Sequence, residues 1–150
     1  ARAEGLRVVA HAGETDGAFR IAQAVDRFGA ERIGHGVRLV DDRELMARVA
    51  QEQIPLEVSP TSNYRLGVTP TDQRHPIRAL VDAGVYVTLN SDDPPMFSTD
   101  LNAEYLLLAG QGFSWDELWR LNRNTLEASF LSEAERQPLR DEWSAFAASL

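Results

Sequence analysis

The chain has 150 residues, of which 43% are apolar and 25% are charged, and its net charge of −8 accompanies a pI near 4.8. This length favours one domain with one core. The acidic balance argues against binding to polymeric nucleic acid, because such proteins need clustered Lys and Arg. Cysteine is absent, so any metal ion must be held by His, Asp or Glu. No apolar run approaches the roughly 18 residues of a membrane span and no signal-peptide pattern opens the chain, so we expect no membrane partner and a cytoplasmic location.

The first predicted unit is a buried strand that leads directly into a helix. A short apolar run near the start of the chain ends with His11 and Glu14. Thr15 or Asp16 is placed to cap a helix whose apolar residues keep the helical spacing as far as Gly29. The strand therefore delivers an imidazole and a carboxylate at its carboxyl end.

The next two units repeat this pattern. Residues 32–36 predict a strand ending at His35, and Asp41 with Glu44 predicts a capping box for the following helix. Residues 55–59 predict the third strand, followed by a long polar loop over 60–70.

The helix after this loop has its own start and stop signals. His75 takes the cap position, Pro76 the first helical position and Gly84 the stop, so we interpret His75 as structural and not as part of a site. Tyr64 and Arg65 lie in the polar loop, where ligand contact and simple exposure explain them equally well.

The fourth strand, residues 85–90, ends in Ser91, Asp92 and Asp93. Neighbouring carboxylates repel each other, so such a pair is usually held by a cation or divided between two tasks, although a simple turn is the plain alternative. Only helices are predicted beyond this point: residues 101–108, a helix with a capping box at Ser114 and Glu117, one with a box at Ser132 and Glu135, and a last helix that restarts after Pro138.

Four strands that alternate with helices predict a parallel sheet, whose functional groups collect at the carboxyl ends of the strands. His11 and Asp92 are the natural zinc ligands at that edge, Glu14 is placed to shuttle protons, and His35 to orient an attacking hydroxide. Each residue also has a structural alternative. For example, Glu14 would be favourable in the first turn of a helix simply because of the helix dipole.

Five motifs occur in a fixed order along the chain: His-Ala-Gly-Glu at 11–14, Ile-Gly-His-Gly at 33–36, Ser-Pro-Thr-Ser-Asn at 59–63 with Arg-Leu-Gly at 65–67, His-Pro-Ile-Arg at 75–78, and Asn-Ser-Asp-Asp-Pro at 90–94. In this order they resemble the adenosine/adenine deaminase family, over a stretch from Val8 to at least Tyr105. The resemblance implies a zinc-dependent aminohydrolase on a (β/α)8 TIM barrel. It implies that residues 1–150 are the C-terminal half of that α/β barrel: a partial domain with the fifth to eighth βα units, four parallel strands, and tail helices from about residue 114.

The same resemblance implies a role for each site residue. His11 and Asp92 match the zinc ligands of the fifth and eighth strands, and Glu14 matches the residue that protonates the purine ring nitrogen beside the attacked carbon. His35 matches the His that stabilises the attacking hydroxide, a water that Asp92 also contacts, and Asp93 matches the Asp that binds the five-membered ring. The implied reaction converts adenosine to inosine and ammonia, with adenine or aminodeoxyfutalosine as alternative substrates.

The chain departs from the family in one respect that matters for activity. Family members take two further zinc ligands from a His-x-His pair on the first strand, and no two of the histidines at 11, 35 and 75 have that spacing. We therefore expect these 150 residues alone to be inactive, with unpaired edge strands near Val8 and Val87. We expect the chain to pair with a second copy, to associate with a partner that carries the first half, or to be a fragment of a longer enzyme. A non-catalytic half-barrel that binds a ligand or partner is the alternative of another class, and a different metal-dependent hydrolase on the same scaffold is a third.

Overall fold

The computed structural model describes residues 2–149. Within them the chain forms four strands, β1 (Val9–Ala12), β2 (Arg32–His35), β3 (Leu56–Val58) and β4 (Val87–Leu89). The helices are α1 (Phe19–Phe28), α2 (Arg43–Glu52), α3 (Pro60–Arg65), α4 (Ile77–Asp82), α5 (Pro94–Phe97), α6 (Leu101–Gly110), α7 (Trp115–Ala128) and α8 (Glu133–Ala148), with short 3-10 helices at Arg2–Glu4 and Val37–Asp41.

The four strands form one sheet in the order β1-β2-β3-β4, and every neighbouring pair is parallel. The prediction of a parallel α/β sheet is therefore confirmed. All four carboxyl ends lie along one edge of the sheet, which is the edge where the sequence places His11, Glu14, His35 and Asp92.

The two faces of the sheet differ because side chains alternate along each strand. One face is covered by helices, and its core residues are almost fully buried: Ile21, Ile33, Val49, Leu56, Leu80 and Val87. The other face, called here the inner face, is defined by the row of strand residues in register, His11, Gly34, Glu57 and Thr88. The inner face is polar, so it is the face that carries the chemistry.

The amino ends of the strands are closed by the end of α7 and the loop after it. The Asn124 side chain donates a hydrogen bond to the Val87 carbonyl (2.8 Å), and the Tyr86 hydroxyl donates to the Asn124 carbonyl (3.2 Å). Although β1 and β4 are the edge strands, as expected, the edge of β4 thus has one of its carbonyl groups already bonded to a side chain.

Three helix starts were predicted at the wrong residue. Helix α1 begins at Phe19 after Ala18, not at a Thr15 or Asp16 cap, because the Asp16 carboxylate instead binds the Gly17 amide and the Arg20 guanidinium. In α2 the cap is Asp42 and not Asp41.

Asp42 is the N-cap of α2 because residues Val37–Asp41 first form a 3-10 turn. Its side chain accepts the Leu45 amide at 3.0 Å. Helix α4 likewise starts one residue late, since Pro76 is its N-cap and Ile77 its first residue.

Part of the predicted polar loop is helical. Residues Pro60–Arg65 form α3, with the proline at the first helical position, where its missing N–H is harmless. The Thr61 amide donates to the carboxylate of Glu104, a fully buried residue of α6 (3.1 Å). A side chain from another helix therefore supplies the cap that the local sequence lacks.

The tail helices follow the prediction except at one point. Capping boxes occur at Ser114 with Glu117 and at Ser132 with Glu135, as expected. However, α8 runs unbroken from Glu133 through Pro138, so the predicted restart after the proline is wrong. Among residues 2–149, no helix is both long enough and apolar enough to cross a membrane.

Candidate functional site

The carboxyl ends of β1 and β2 bring three possible metal ligands together. The nearest ligand atoms of His11, Glu14 and His35 all lie within 4.8 Å of one another. The two imidazole rings meet edge to face, with their centroids 4.9 Å apart. Sequence reasoning from strand ends thus selected side chains that are neighbours in space.

A close backbone approach makes this arrangement possible. The ring of His11 packs over Gly34 of the neighbouring strand, and a Cβ atom placed there would lie 2.6 Å from the His11 Cδ2. Glycine is therefore required at residue 34 for steric reasons, because any side chain would push the His11 ring away from the cluster.

Two of the site residues have unusual backbone conformations. His35 and Asp92 have φ angles of 64° and 58°, in the left-handed region that few residues other than glycine adopt. Such strain costs roughly 1–3 kcal/mol and is typical of positions where function fixes the direction of a side chain.

His35 is buried between two carboxylates. Its Nδ1 lies 3.5 Å from Glu14 Oε1, and its Nε2 lies 3.9 Å from Asp92 Oδ2. Burial lowers the pKa of His35 below its usual value, and the nearby charge of Glu14 opposes this shift only in part. His35 is therefore a neutral imidazole at physiological pH.

The two adjacent aspartates have different surroundings. Asp92 accepts a 2.7 Å hydrogen bond from the hydroxyl of Ser62, which is fully buried in α3. Asp93 is exposed and caps α5 by accepting the Met96 amide at its Oδ1 (3.0 Å). The pair is thus divided, with one carboxylate facing His35 and the other at a helix start.

The donor set of the cluster fits a metal ion. Imidazole nitrogens and carboxylate oxygens are the ligands that zinc takes in the absence of cysteine. Glu14 Oε1 is buried without a hydrogen-bond partner, and no hydrogen bond to a ring nitrogen of His11 is present among residues 2–149. A buried polar atom without a partner is costly, so Glu14 Oε1 fits a site that is completed by a cation or a ligand, and the exposed His11 ring is accessible to the same ion.

Three buried polar residues beside the cluster were not predicted as part of the site. They are Ser62, Asn63 and His75. Asn63 lies between His75 Nε2 (3.1 Å) and His35 Nδ1 (3.3 Å), so it links a helix cap to the cluster. His75 precedes the N-cap Pro76, one residue earlier than a cap position, but it has a structural role at this helix start because its Nδ1 accepts the Ile77 amide at 3.1 Å. No local spacing in the sequence predicts the contact between His75 Nε2 and Asn63.

A cleft opens over the cluster on the inner face. Its volume is about 390 Å³, within the usual range for small-molecule sites. His11, His35 and Asp92 line it together with Leu101 of α6 and Thr125 of α7. Most of the side chains that line the cleft are polar, and Leu89 and Leu101 are its apolar contacts.

This arrangement defines the class of protein: half of a parallel α/β barrel with a metal-type His and carboxylate cluster at the carboxyl ends of its strands. The family model described as adenosine deaminase matches residues 1–145. The chain belongs to the adenosine deaminase family.

Curated relatives of this chain act on purines according to their names. An adenine deaminase of Sinorhizobium medicae (strain WSM419) is 49% identical over 92% of this chain and 43% of its own length. An aminodeoxyfutalosine deaminase of Streptomyces avermitilis is 46% identical over 98% of this chain and 41% of its own length. The chain therefore spans less than half the length of these relatives.

The solved structures that resemble this chain are likewise covered by it over less than half of their length. An adenine deaminase from Arthrobacter aurescens superposes with a TM-score of 0.94 at 36% identity, over 99% of this chain and 46% of the other. An amidohydrolase from Burkholderia ambifaria with bound Zn superposes with a TM-score of 0.89 at 32% identity, over 97% of this chain and 41% of the other. The fold is half of a TIM barrel, as expected from the sequence.

Proposed function

We propose that this chain supplies the fifth to eighth βα units of a zinc-dependent purine deaminase, whose reaction replaces the exocyclic amino group of a 6-aminopurine with oxygen and releases ammonia. The observation that carries the proposal is the cluster of His11, Glu14 and His35 beside Asp92 at the carboxyl edge of the sheet, in a chain that belongs to the deaminase family. Residues 1–150 act as one partial barrel domain with its tail helices from about residue 114.

His11 and Asp92 hold the zinc ion, which when bound supplies an acidified water near neutral pH. His35 and Asp92 orient the attacking water, since both line the same cleft and face each other. Glu14 gives a proton to the ring nitrogen beside the attacked carbon, which lets the ring accept electrons as its aromaticity is lost.

Asp93 binds the five-membered ring of the purine. Its Oδ1 accepts the Met96 amide, so Oδ2 is the oxygen that we expect to accept a hydrogen bond from the purine. Water adds to the ring carbon and the bond from that carbon to the amino group breaks. One of the two protons of the water leaves on the amino group as ammonia, and the other goes to Glu14 in place of the proton that it gave to the ring nitrogen.

The substrate class is a 6-aminopurine. Our expectation from the sequence is adenosine, with inosine as its product. The names of the relatives add equal support for adenine and support for aminodeoxyfutalosine. Residues that bind a sugar would come largely from the other half of the barrel. An assay is therefore needed to decide among these three substrates.

The chain needs the first four barrel strands for activity. Residues equivalent to the His-x-His pair are absent, and the inner face and the outer edge of β1 face the position of those strands. The completing half is the polypeptide that supplies these strands, either joined to this chain or added as a separate chain. We infer assembly with a completing half or with a second copy, in the cytoplasm.

The test is ammonia release by the chain with its completing half, measured with adenine, adenosine and aminodeoxyfutalosine. We expect one of the three to turn over, and the chain alone to be inactive. Binding of purines without ammonia release by the zinc-loaded assembly would sink the deaminase proposal and favour a non-catalytic half-barrel. Hydrolysis of unrelated amides or esters alone would favour a different hydrolase.

A further inference from the structure

A chain of buried hydrogen bonds runs from a backbone amide to His35. It begins where the Ile77 amide donates to His75 Nδ1 at 3.1 Å. A backbone amide can only donate, so Nδ1 must be the unprotonated nitrogen of the ring. His75 is almost fully buried, and burial lowers its pKa to about 4, so the ring is neutral and carries its one proton on Nε2.

The proton on His75 fixes the orientation of the next residue. His75 Nε2 lies 3.1 Å from the side-chain oxygen of Asn63. An N–H group needs an acceptor, so the Asn63 oxygen must face His75 and its NH₂ group must face away. The two ends of an amide look alike in shape, but here the partner decides between them.

The amide of Asn63 then determines the proton position on His35. Asn63 Nδ2 lies 3.3 Å from His35 Nδ1 and can only donate. Nδ1 is therefore an acceptor without a proton, and the proton of the His35 ring sits on Nε2, on the side of Asp92. Glu14 Oε1 lies 3.5 Å from the same Nδ1 and makes no hydrogen bond.

We propose that the Ile77 amide, His75 and Asn63 act as a relay that locks His35 in the Nε2–H tautomer. In this form His35 is an N–H donor towards the cleft and has no free lone pair there. Its Nε2 can neither ligate a metal ion nor take a proton from water. Metal ligation is therefore left to His11. The proton of the water must go to a carboxylate, and Asp92 is the carboxylate nearest to His35 Nε2. Asn63 and His75 are positioning residues. The link to the reaction rests on the proposed function, whereas the tautomer does not.

The direct test is nitrogen NMR of the imidazole rings at neutral pH. Three histidines are present, so ¹⁵N-histidine labelling of this chain gives six ring nitrogens, and an unlabelled completing half adds none. We expect a pyridine-type shift for His35 Nδ1 and a pyrrole-type shift for its Nε2, and the same pattern for His75. A protonated Nδ1 on His35 in the wild-type protein would overturn the relay, whatever the activity of the assembly.

Variants test each step of the relay. Asn63→Asp places an acceptor against His35 Nδ1, so the proton should move to that nitrogen. His75→Phe removes the donor that orients Asn63 and should give a mixture of tautomers, whereas His75→Gln keeps a donor and should restore the Nε2–H form. An unchanged His35 spectrum in both Asn63→Asp and His75→Phe would contradict the relay.

A matched control lies next to the relay. Tyr64 packs edge to face on His75 with centroids 5.6 Å apart, and its hydroxyl donates to the Gln73 carbonyl outside the relay. Tyr64→Phe should therefore leave the tautomer of His35 unchanged, and a change would mean that packing alone controls it.

Kinetics separate the relay from the proposed reaction. In an active assembly, Asn63→Asp should lower kcat by about 10- to 100-fold with little change in KM, as is typical of residues that orient a catalytic group. The expected NMR pattern without any deaminase activity would support the relay and refute the proposed function. A rise in KM of about 10- to 100-fold with kcat unchanged would refute the positioning role.

Discussion

The two ends of the four strands differ in backbone strain and in what surrounds their polar groups. At the amino ends, the Arg32 guanidinium and the Val87 carbonyl bond to the segment 124–130, although Arg32 Nε makes no hydrogen bond of its own. At the carboxyl ends, Glu14 Oε1 lacks a hydrogen bond, and His35 and Asp92 have strained backbones. The contrast indicates that one end of the sheet stabilises the fold and the other end is organised for a ligand.

Arg32 shows how the amino end is held. Its guanidinium lies over the ring of Phe130 (3.9 Å to the centroid), donates to the Ala128 carbonyl (2.9 Å) and pairs with Glu57 (2.8 Å). Arg7, which precedes β1, also lies over the Phe130 ring, with its guanidinium carbon 4.3 Å from the ring centroid. Two strand starts are thus tied to one aromatic ring from the segment after α7.

The largest expected effect is on chemistry at the carboxyl end. Glu14→Gln removes the proposed proton donor and should lower kcat by about 10²–10⁴-fold, because proton transfer by a positioned group contributes that much. The measurement is steady-state ammonia release by the assembly, with Glu44→Gln on the exposed start of α2 as the control. Equal rates for Glu14→Gln and the wild type would remove Glu14 from the mechanism.

The next effect is a pH dependence of stability. The pKa of His75 is about 4 in the folded chain against an ordinary value of 6.5, so the unfolded state binds more protons between these values. Stability should therefore fall as pH drops from about 6.5 to 4, by up to about 3 kcal/mol from this residue.

Denaturant unfolding at several pH values measures this slope. His75→Gln should lose the part of the slope that His75 contributes, while the part from His35, whose pKa is also lowered, remains in both proteins. Identical slopes for the variant and the wild type would show that His75 is already charged or accessible in the folded chain.

A smaller effect is expected on stability at the amino end. Arg32→Met keeps most of the apolar stem but loses the hydrogen bond, the ion pair and the contact with Phe130, so we expect a loss of about 1–3 kcal/mol in the free energy of unfolding. Arg27→Met on exposed α1 should change it by less than about 0.5 kcal/mol. Zinc affinity should stay unchanged in both, and a loss of zinc in Arg32→Met would mean that the two ends are not independent.

The smallest expected effect comes from removing the hydrogen bond between Ser62 and the Asp92 carboxylate. Ser62→Ala removes the 2.7 Å hydrogen bond to its carboxylate and should lower kcat by about tenfold, since one hydrogen bond to a charged group is involved. The control is Ser144→Ala on the exposed part of α8. A variant with wild-type kcat would show that the strained backbone of Asp92 alone holds the carboxylate in place.

The strand ends could be predicted because their signals are local. Apolar runs that stop at His11, His35 or Asp92 define both the strand and the residue that it delivers, and parallel pairing then brings them to one edge. Helix starts were less predictable. The Asp16 carboxylate has more than one donor within reach, and the sequence does not tell which one it binds.

The rest of the site depends on contacts that are distant in sequence. Helix α3 begins with proline, threonine and serine, which are weak helix formers, and it is capped by Glu104, a residue 43 positions away. Asn63 meets His35 across 28 positions of the sequence, and His75 meets Asn63 across 12. Their roles are therefore visible in the structure and not in the spacing of the sequence.

The most direct test of the central claim, that this chain carries one part of a shared zinc site, is native mass spectrometry with metal analysis. The chain with its completing half should hold about one zinc ion, and the same assembly with His11→Ala should hold none. The isolated chain should bind zinc only weakly. An assembly that keeps its full zinc content after His11→Ala would contradict the account.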